Sequence, residues 1–179
     1  MLTEPKDQDV EESLALARHQ VMHGDLEHAL GRLKPLAALA QPPADSLALL
    51  ARVYAQIGMM ERAQTAFRRY LESHPGATHE TFELGATYFD QGNDAKALEY
   101  WAQALTIAPT YPPALFFSAA ALSRSGKTAD ARRHLEVLFN SAPADNLYVE
   151  RARNLLKALE DGTPPAPEAA PAATPYGGH

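Results

Sequence analysis

The chain has no cysteine, and that absence removes several chemistries at once. It excludes a disulfide framework, a thiolate zinc site, a cysteine nucleophile and a lipid-anchored thiol. Apolar runs are short, far below the roughly 20 residues that a membrane helix needs. The opening residues, Met1 to Val10, are polar and acidic and lack the apolar stretch of a secretory leader, so a cytoplasmic location is the expectation. There is no glycine-rich phosphate loop, nucleophile elbow or metalloprotease motif. There is no basic stripe either. The net charge is −6, and residues 78–111 carry Glu80, Glu83, Asp90, Asp94 and Glu99 against the single Lys96. A nucleic-acid binder shows the opposite balance. The acidic block reads first as a solvated face, and second as a patch that steers a basic partner.

What the chain does have is a period. Gly24, Gly58, Gly92 and Gly126 are spaced 34 residues apart. Five residues after each stands an alanine: Ala29, Ala63, Ala97 and Ala131. Seven residues before each stands another small residue: Ala17, Ala51, Gly85 and Ala119. A fixed period of this length marks a repeat array, in which each unit buries its apolar face only by stacking on the next. The register divides the chain into blocks 10–43, 44–77, 78–111 and 112–145, after an N-terminal segment 1–9 expected to be flexible.

Each block reads as two helices about a tight turn. In the third, Thr81, Leu84, Gly85 and Tyr88 recur at helical spacing, and Gly92-Asn93-Asp94 breaks the helix. Asn93 or Asp94 can cap the next helix, because a short side-chain oxygen satisfies free backbone N–H groups. Ala97, Trp101 and Ala104 restore the period, and Pro109 ends the block, as Pro75 and Pro143 do in theirs. In block one Gln41 holds that position and Pro42 follows. The glycine at each turn suits a helix end that needs positive φ. The small residues before and after it suit close crossings between paired helices.

These residues resemble the tetratricopeptide repeat family. Leu47, Leu50, Ala51, Tyr54, Gly58, Ala63, Phe67 and Pro75 follow its pattern in block two. Thr81, Leu84, Gly85, Tyr88, Gly92, Ala97, Trp101 and Pro109 follow it in block three. Block one departs at Ser13 and Gln20, and block four at Ser118 and Leu122. The resemblance implies an all-α, right-handed superhelical solenoid of antiparallel helix pairs. It also implies that residues 146–160 form a capping helix, with Leu147, Val149, Ala152, Leu155, Leu156 and Leu159 on one side. The Pro/Ala-rich stretch 161–179 lacks the means to build a core and is expected to be disordered.

The resemblance further implies that the first helix of each pair lines a concave groove. The expected partner-binding groove then contains Leu14, Arg18, Arg52, Phe82, Phe89 and Phe116, an aromatic half and a basic half. It lacks the Lys/Asn set with which chaperone-binding members clamp a terminal carboxylate. Aromatic residues and arginine dominate interface energetics, so a peptide or helix of a protein partner is the expected ligand. The competing reading places the phenylalanines between adjacent helices as core. The function implied is a non-enzymatic interaction scaffold, in a narrower version an assembly or secretion chaperone. Alternatives are a docking subunit of a separate enzyme and, more remotely, an RNA-binding helical repeat. No cofactor, metal or catalytic residue is expected. His19 and His23 share a helix face at a chelating spacing, but no further ligand set accompanies them.

Overall fold

The computed structural model describes residues 7–162. Among the described residues there are nine α-helices and no strand, so the fold class is the all-α helical repeat. Of the expected disordered tail 161–179, Asp161 ends the last helix and Gly162 caps it; residues 163–179, and residues 1–6 of the expected flexible N-terminus, lie outside the described residues. The helices form two compact units, divided between Pro75 and Gly76.

The first unit holds α1 (Asp7–Met22), α2 (Leu26–Ala37), α3 (Ala44–Gln56) and α4 (Met60–Ser73). α1 begins at Asp7, inside the segment 1–9, with Asp7 and Asp9 in its first turn, where acidic side chains complement the helix dipole. α1 packs on α2, α2 on α3 and α3 on α4. α2 has 12 residues where α4 has 14. Pro35 lies inside its last turn, where the missing N–H removes a helical hydrogen bond. At the end of α2, Arg69 on α4 donates to the Ala37 carbonyl at 3.1 Å. The core is mainly aliphatic, with Leu14, Val21, Leu33, Leu47, Leu50 and Val53 buried together with Tyr54, and the Phe67 ring of α4 is buried too.

The second unit holds α5 (Thr78–Asp90), α6 (Asp94–Ile107), α7 (Pro112–Arg124), α8 (Thr128–Ser141) and α9 (Leu147–Asp161). α9 lies against both α7 and α8 and buries Val149, Ala152 and Leu155. Leu147, expected on the covered side, is 61% exposed at its first turn. Asn93 caps α6, accepting from the Lys96 N–H at 3.1 Å. Asn146 caps α9, accepting from the Tyr148 N–H at 2.9 Å.

The 34-residue period corresponds to one repeated helix cap. All four glycines adopt positive φ, 73–77°. At each, the residue after the glycine donates to a carbonyl five residues back: Asp25 to Gln20, Met59 to Tyr54, Asn93 to Tyr88, Lys127 to Leu122. The glycine itself donates three back, to Val21, Ala55, Phe89 and Ser123. This paired pattern closes a helix through a left-handed residue. It satisfies the last carbonyls of the first helix and reverses the chain into the second. The small residues flanking it are the helix crossings. Ala17 and Ala29, Ala51 and Ala63, Ala119 and Ala131 are all fully buried. At the α5–α6 crossing a Cβ on Gly85 would come within 3.2 Å of the Ala97 carbonyl oxygen and 2.6 Å of the Trp101 indole nitrogen.

Candidate functional site

In the first unit the expected groove residues sit on α1 and α3. Leu14 is buried with Ala17 and Val21 on one face of α1. Arg18, one turn further along, is ion-paired with Asp45 at the start of α3, both side chains about half exposed. Arg52 is buried on α3, at 6% exposure. A guanidinium gives up water on burial, so Arg52 belongs to the framework of this face more than to its rim. Met22, at the end of α1, is the most exposed large apolar residue of α1, at 61%.

In the second unit the structure brings Phe82, Phe89 and Phe116 into one aromatic cluster around Trp101 and Phe117. The rings are 1–4% exposed. Phe82 lies 5.7 Å from Phe117 and edge-on to Tyr111 at 5.8 Å. Phe89 meets Trp101 at 5.3 Å. Phe116 meets Phe117 edge-on at 5.2 Å and Tyr148 of α9 at 5.9 Å. These separations are those of favourable offset and edge-to-face ring pairs. The Trp101 indole N–H donates to the Phe82 carbonyl at 3.1 Å, which locks α6 to α5. The three phenylalanines are therefore held by ring-on-ring packing between helices.

Two arginines stand over these rings. The Arg124 guanidinium carbon is 3.9 Å from the Phe89 ring centre, and Asp94 grips the same guanidinium through both carboxylate oxygens. Arg151 on α9 is 4.7 Å from the Phe116 centre and 5.3 Å from that of Phe117. A planar cation on an aromatic face is attracted by the ring quadrupole. The sequence reading did not select Arg124, Arg151, Phe117 or Tyr148 as site residues. Arg124 had a signal, since it ends α7 where Asp90 ends α5. Arg151 had none beyond its place on the last helix. At the start of α5, the Tyr111 hydroxyl lies 2.9 Å from His79 Nδ1, and His79 Nε2 lies 3.6 Å from the largely buried Glu83 carboxylate.

The other groups with chemical potential are dispersed. His19 and His23 stack at 4.1 Å, and His23 Nδ1 hydrogen-bonds the His19 carbonyl at 2.8 Å. Among the described residues no group of three or more His, Asp or Glu side chains could hold a metal ion. His28 and Asp25 pair at 2.7 Å beside the α1–α2 turn. That hydrogen bond raises the imidazole pKa and lowers that of the carboxyl. Glu99, hydrogen-bonded to Lys96, raises the lysine in the same way. Among the described residues no helix is long and apolar enough to cross a membrane.

Comparison with known proteins agrees with this geometry. Residues 45–77 and 81–111 match models of the tetratricopeptide repeat. The crystal structure of MamA superposes with a TM-score of 0.71 at 20% identity, over 80% of each chain. A tetratricopeptide repeat protein from Parabacteroides merdae gives 0.76 at 18% identity, over 87% of this chain and 61% of that one. A mutant O-GlcNAc transferase from Thermobaculum terrenum gives 0.56 at 22% identity, over 63% of this chain and 22% of that one. Among curated proteins none matches the sequence. With two repeats matched directly, the in-register glycine caps and the paired helices, the chain carries tetratricopeptide repeats, a fold that suggests a protein–protein interaction scaffold.

Proposed function

We propose that this chain is a non-enzymatic scaffold that holds a peptide or helix of a partner protein on the faces of its first helices. In the first unit the face is built on Leu14, Arg18 and Arg52, and in the second on Phe82, Phe89 and Phe116. The observation that carries this reading is the placement of Arg124 and Arg151 over the phenylalanine rings. The rings form a rigid floor, and the planar guanidinium groups lie over it as a cationic cover. Rigid aromatics with arginine are the combination that dominates binding at protein interfaces. A partner offering apolar side chains and one or two carboxylates fits that surface. A chaperone role, holding the apolar segment of a client before its assembly or secretion, is the narrower form of the proposal. The likeness to part of a transferase favours a second reading, in which the same face docks an enzyme supplied by another chain.

Site-specific photo-crosslinking separates these readings from a purely structural role. A photoreactive residue replaces Met22, Asp90 or Ser123 on first helices, or Arg68, Glu99 or Val137 on second helices. The proposal expects a discrete crosslinked partner from the first set only. Equal capture from both sets, or capture from second helices alone, would sink it.

A further inference from the structure

We infer that a hollow between α6, α7 and α8 of the second unit is a binding site for one small, neutral aromatic molecule of the phenol class. The hollow lies apart from the first-helix faces of the scaffold proposal, and the inference does not depend on that proposal.

The hollow has a volume of about 300 Å³ and is walled by Leu98 of α6, Ser118 and Leu122 of α7 and His134 of α8, with Asp130 and Arg133 at its rim. Ligand sites begin at roughly this size and combine apolar walls with a few polar groups. Ser118 and Leu122 are both buried, Ser118 at 2% exposure. They stand one turn apart on the side of α7 away from Phe116.

The repeat register says what fills such a space. Ser118 and Leu122 are the residues at which block four departs from the repeat pattern. At the same offsets block three has Leu84 and Tyr88, both larger, and His134 falls at the offset of Tyr100. In block three the Tyr88 ring lies flat on Tyr100, with centroids 5.5 Å apart and planes 10° from parallel. In block four the second ring of that pair persists as the His134 imidazole, while the first is replaced by the aliphatic Leu122. The third repeat is therefore a template for the occupant of the fourth: one planar ring, stacked on the residue at the His134 offset. A free ring that enters the hollow gains that stacking.

The polar groups narrow the class. His134 Nδ1 lies 3.0 Å from the Asp130 carbonyl oxygen. A carbonyl only accepts, so Nδ1 donates, which orients the ring and leaves Nε2 of the neutral imidazole as an acceptor. A phenolic O–H is a matching donor, and the Ser118 hydroxyl can donate or accept. Arg133 pairs with Asp130 at 3.0 Å, so the rim charges answer one another and neither calls for an ionised ligand.

The test titrates para-cresol, the tyrosine side chain as a free molecule, into the full-length chain and follows the amide and imidazole signals by NMR. A single ring has few atoms, so a dissociation constant on the order of millimolar is expected. The shifts should saturate and centre on Ser118, Leu122 and His134. Cyclohexanol is of similar size but cannot stack, and should bind about threefold more weakly or worse. Leu122→Tyr restores the block-three pair and puts a ring of the protein's own in the hollow, so para-cresol should weaken about tenfold or more. His134→Ala removes the stacking partner from a partly buried helix position and should weaken it about threefold to tenfold. Circular dichroism checks that both variants are folded, and His134→Ala decides if Leu122→Tyr is not. Shifts that spread over the surface without saturating, cyclohexanol binding as well as para-cresol, or undiminished binding by either folded variant overturns the inference. No protein partner enters the measurement, so ring binding and crosslinking stand or fall separately.

Discussion

Gly85→Ala adds one methyl group at the close α5–α6 crossing of the second unit. The new Cβ would lie 2.6 Å from Trp101 Nε1 and 2.7 Å from its Cδ1, well inside van der Waals contact. The indole has no room to retreat. It is fully buried, packed against Phe82, Phe89 and Phe117, and held by its bond to the Phe82 carbonyl. Overpacking of this kind costs roughly 1–3 kcal/mol. Displacing the indole also forfeits about 1 kcal/mol of hydrogen bonding. Against this, alanine is the better helix former by about 1 kcal/mol. The net expectation is a loss of about 1–3 kcal/mol, or roughly 2–12 °C in Tm for a chain of this size. Thermal unfolding followed by circular dichroism and by the emission of Trp101, the only tryptophan, measures it. Gly31→Ala is the control. Gly31 is on α2, where an added Cβ meets nothing within 4 Å, so only the helix preference acts and Tm should hold or rise. If Gly85→Ala behaves like Gly31→Ala, the close crossing is not the reason for the glycine.

Three further outcomes are expected. Phe116→Ala should cost roughly 3–5 kcal/mol in urea unfolding, the usual range for a buried phenylalanine. A loss under about 1 kcal/mol would show that the ring is not core. Arg124→Ala should cost roughly 0.5–2 kcal/mol from the ion pair with Asp94 and the stacking on Phe89. A double-mutant cycle with Asp94→Ala that returns no coupling would refute the ion-pair share. Asp25 raises the pKa of His28 and is itself lowered. The histidine's stabilising share is complete below the ordinary imidazole pKa of about 6.5 and is lost as pH rises through the folded value. The aspartate's share is present above the ordinary carboxyl pKa and is lost as pH falls through its lowered folded value. The pair therefore stabilises most between about pH 4 and 6.5. Asp25→Asn should bring the His28 titration midpoint down towards 6.5 by NMR, and an unmoved midpoint would count against the pairing.

The repeat architecture was legible because it depends on local geometry. A positive-φ residue at each first-helix end favours glycine, and a close crossing demands a small side chain. Both demands recur at one offset, so four copies of Gly24 and of Ala17 state the fold without any long-range information. The cap at Asn93 was legible for the same reason. The candidate site was less legible. Helical spacing places Phe82, Phe89 and Phe116 on first-helix faces. It does not say whether a face looks at solvent or at a neighbouring ring. That depends on Trp101 reaching across from α6, on Phe117 filling the space between α5 and α7, and on α9 bringing Tyr148 and Arg151 over the end of the row. Arg124 over Phe89, gripped by Asp94 thirty residues earlier in the chain, has the same origin. One-dimensional periodicity determines which residues share a face. Only the meeting of distant helices decides which rings are buried and which charges lie above them, because burial is a property of neighbours brought together by folding.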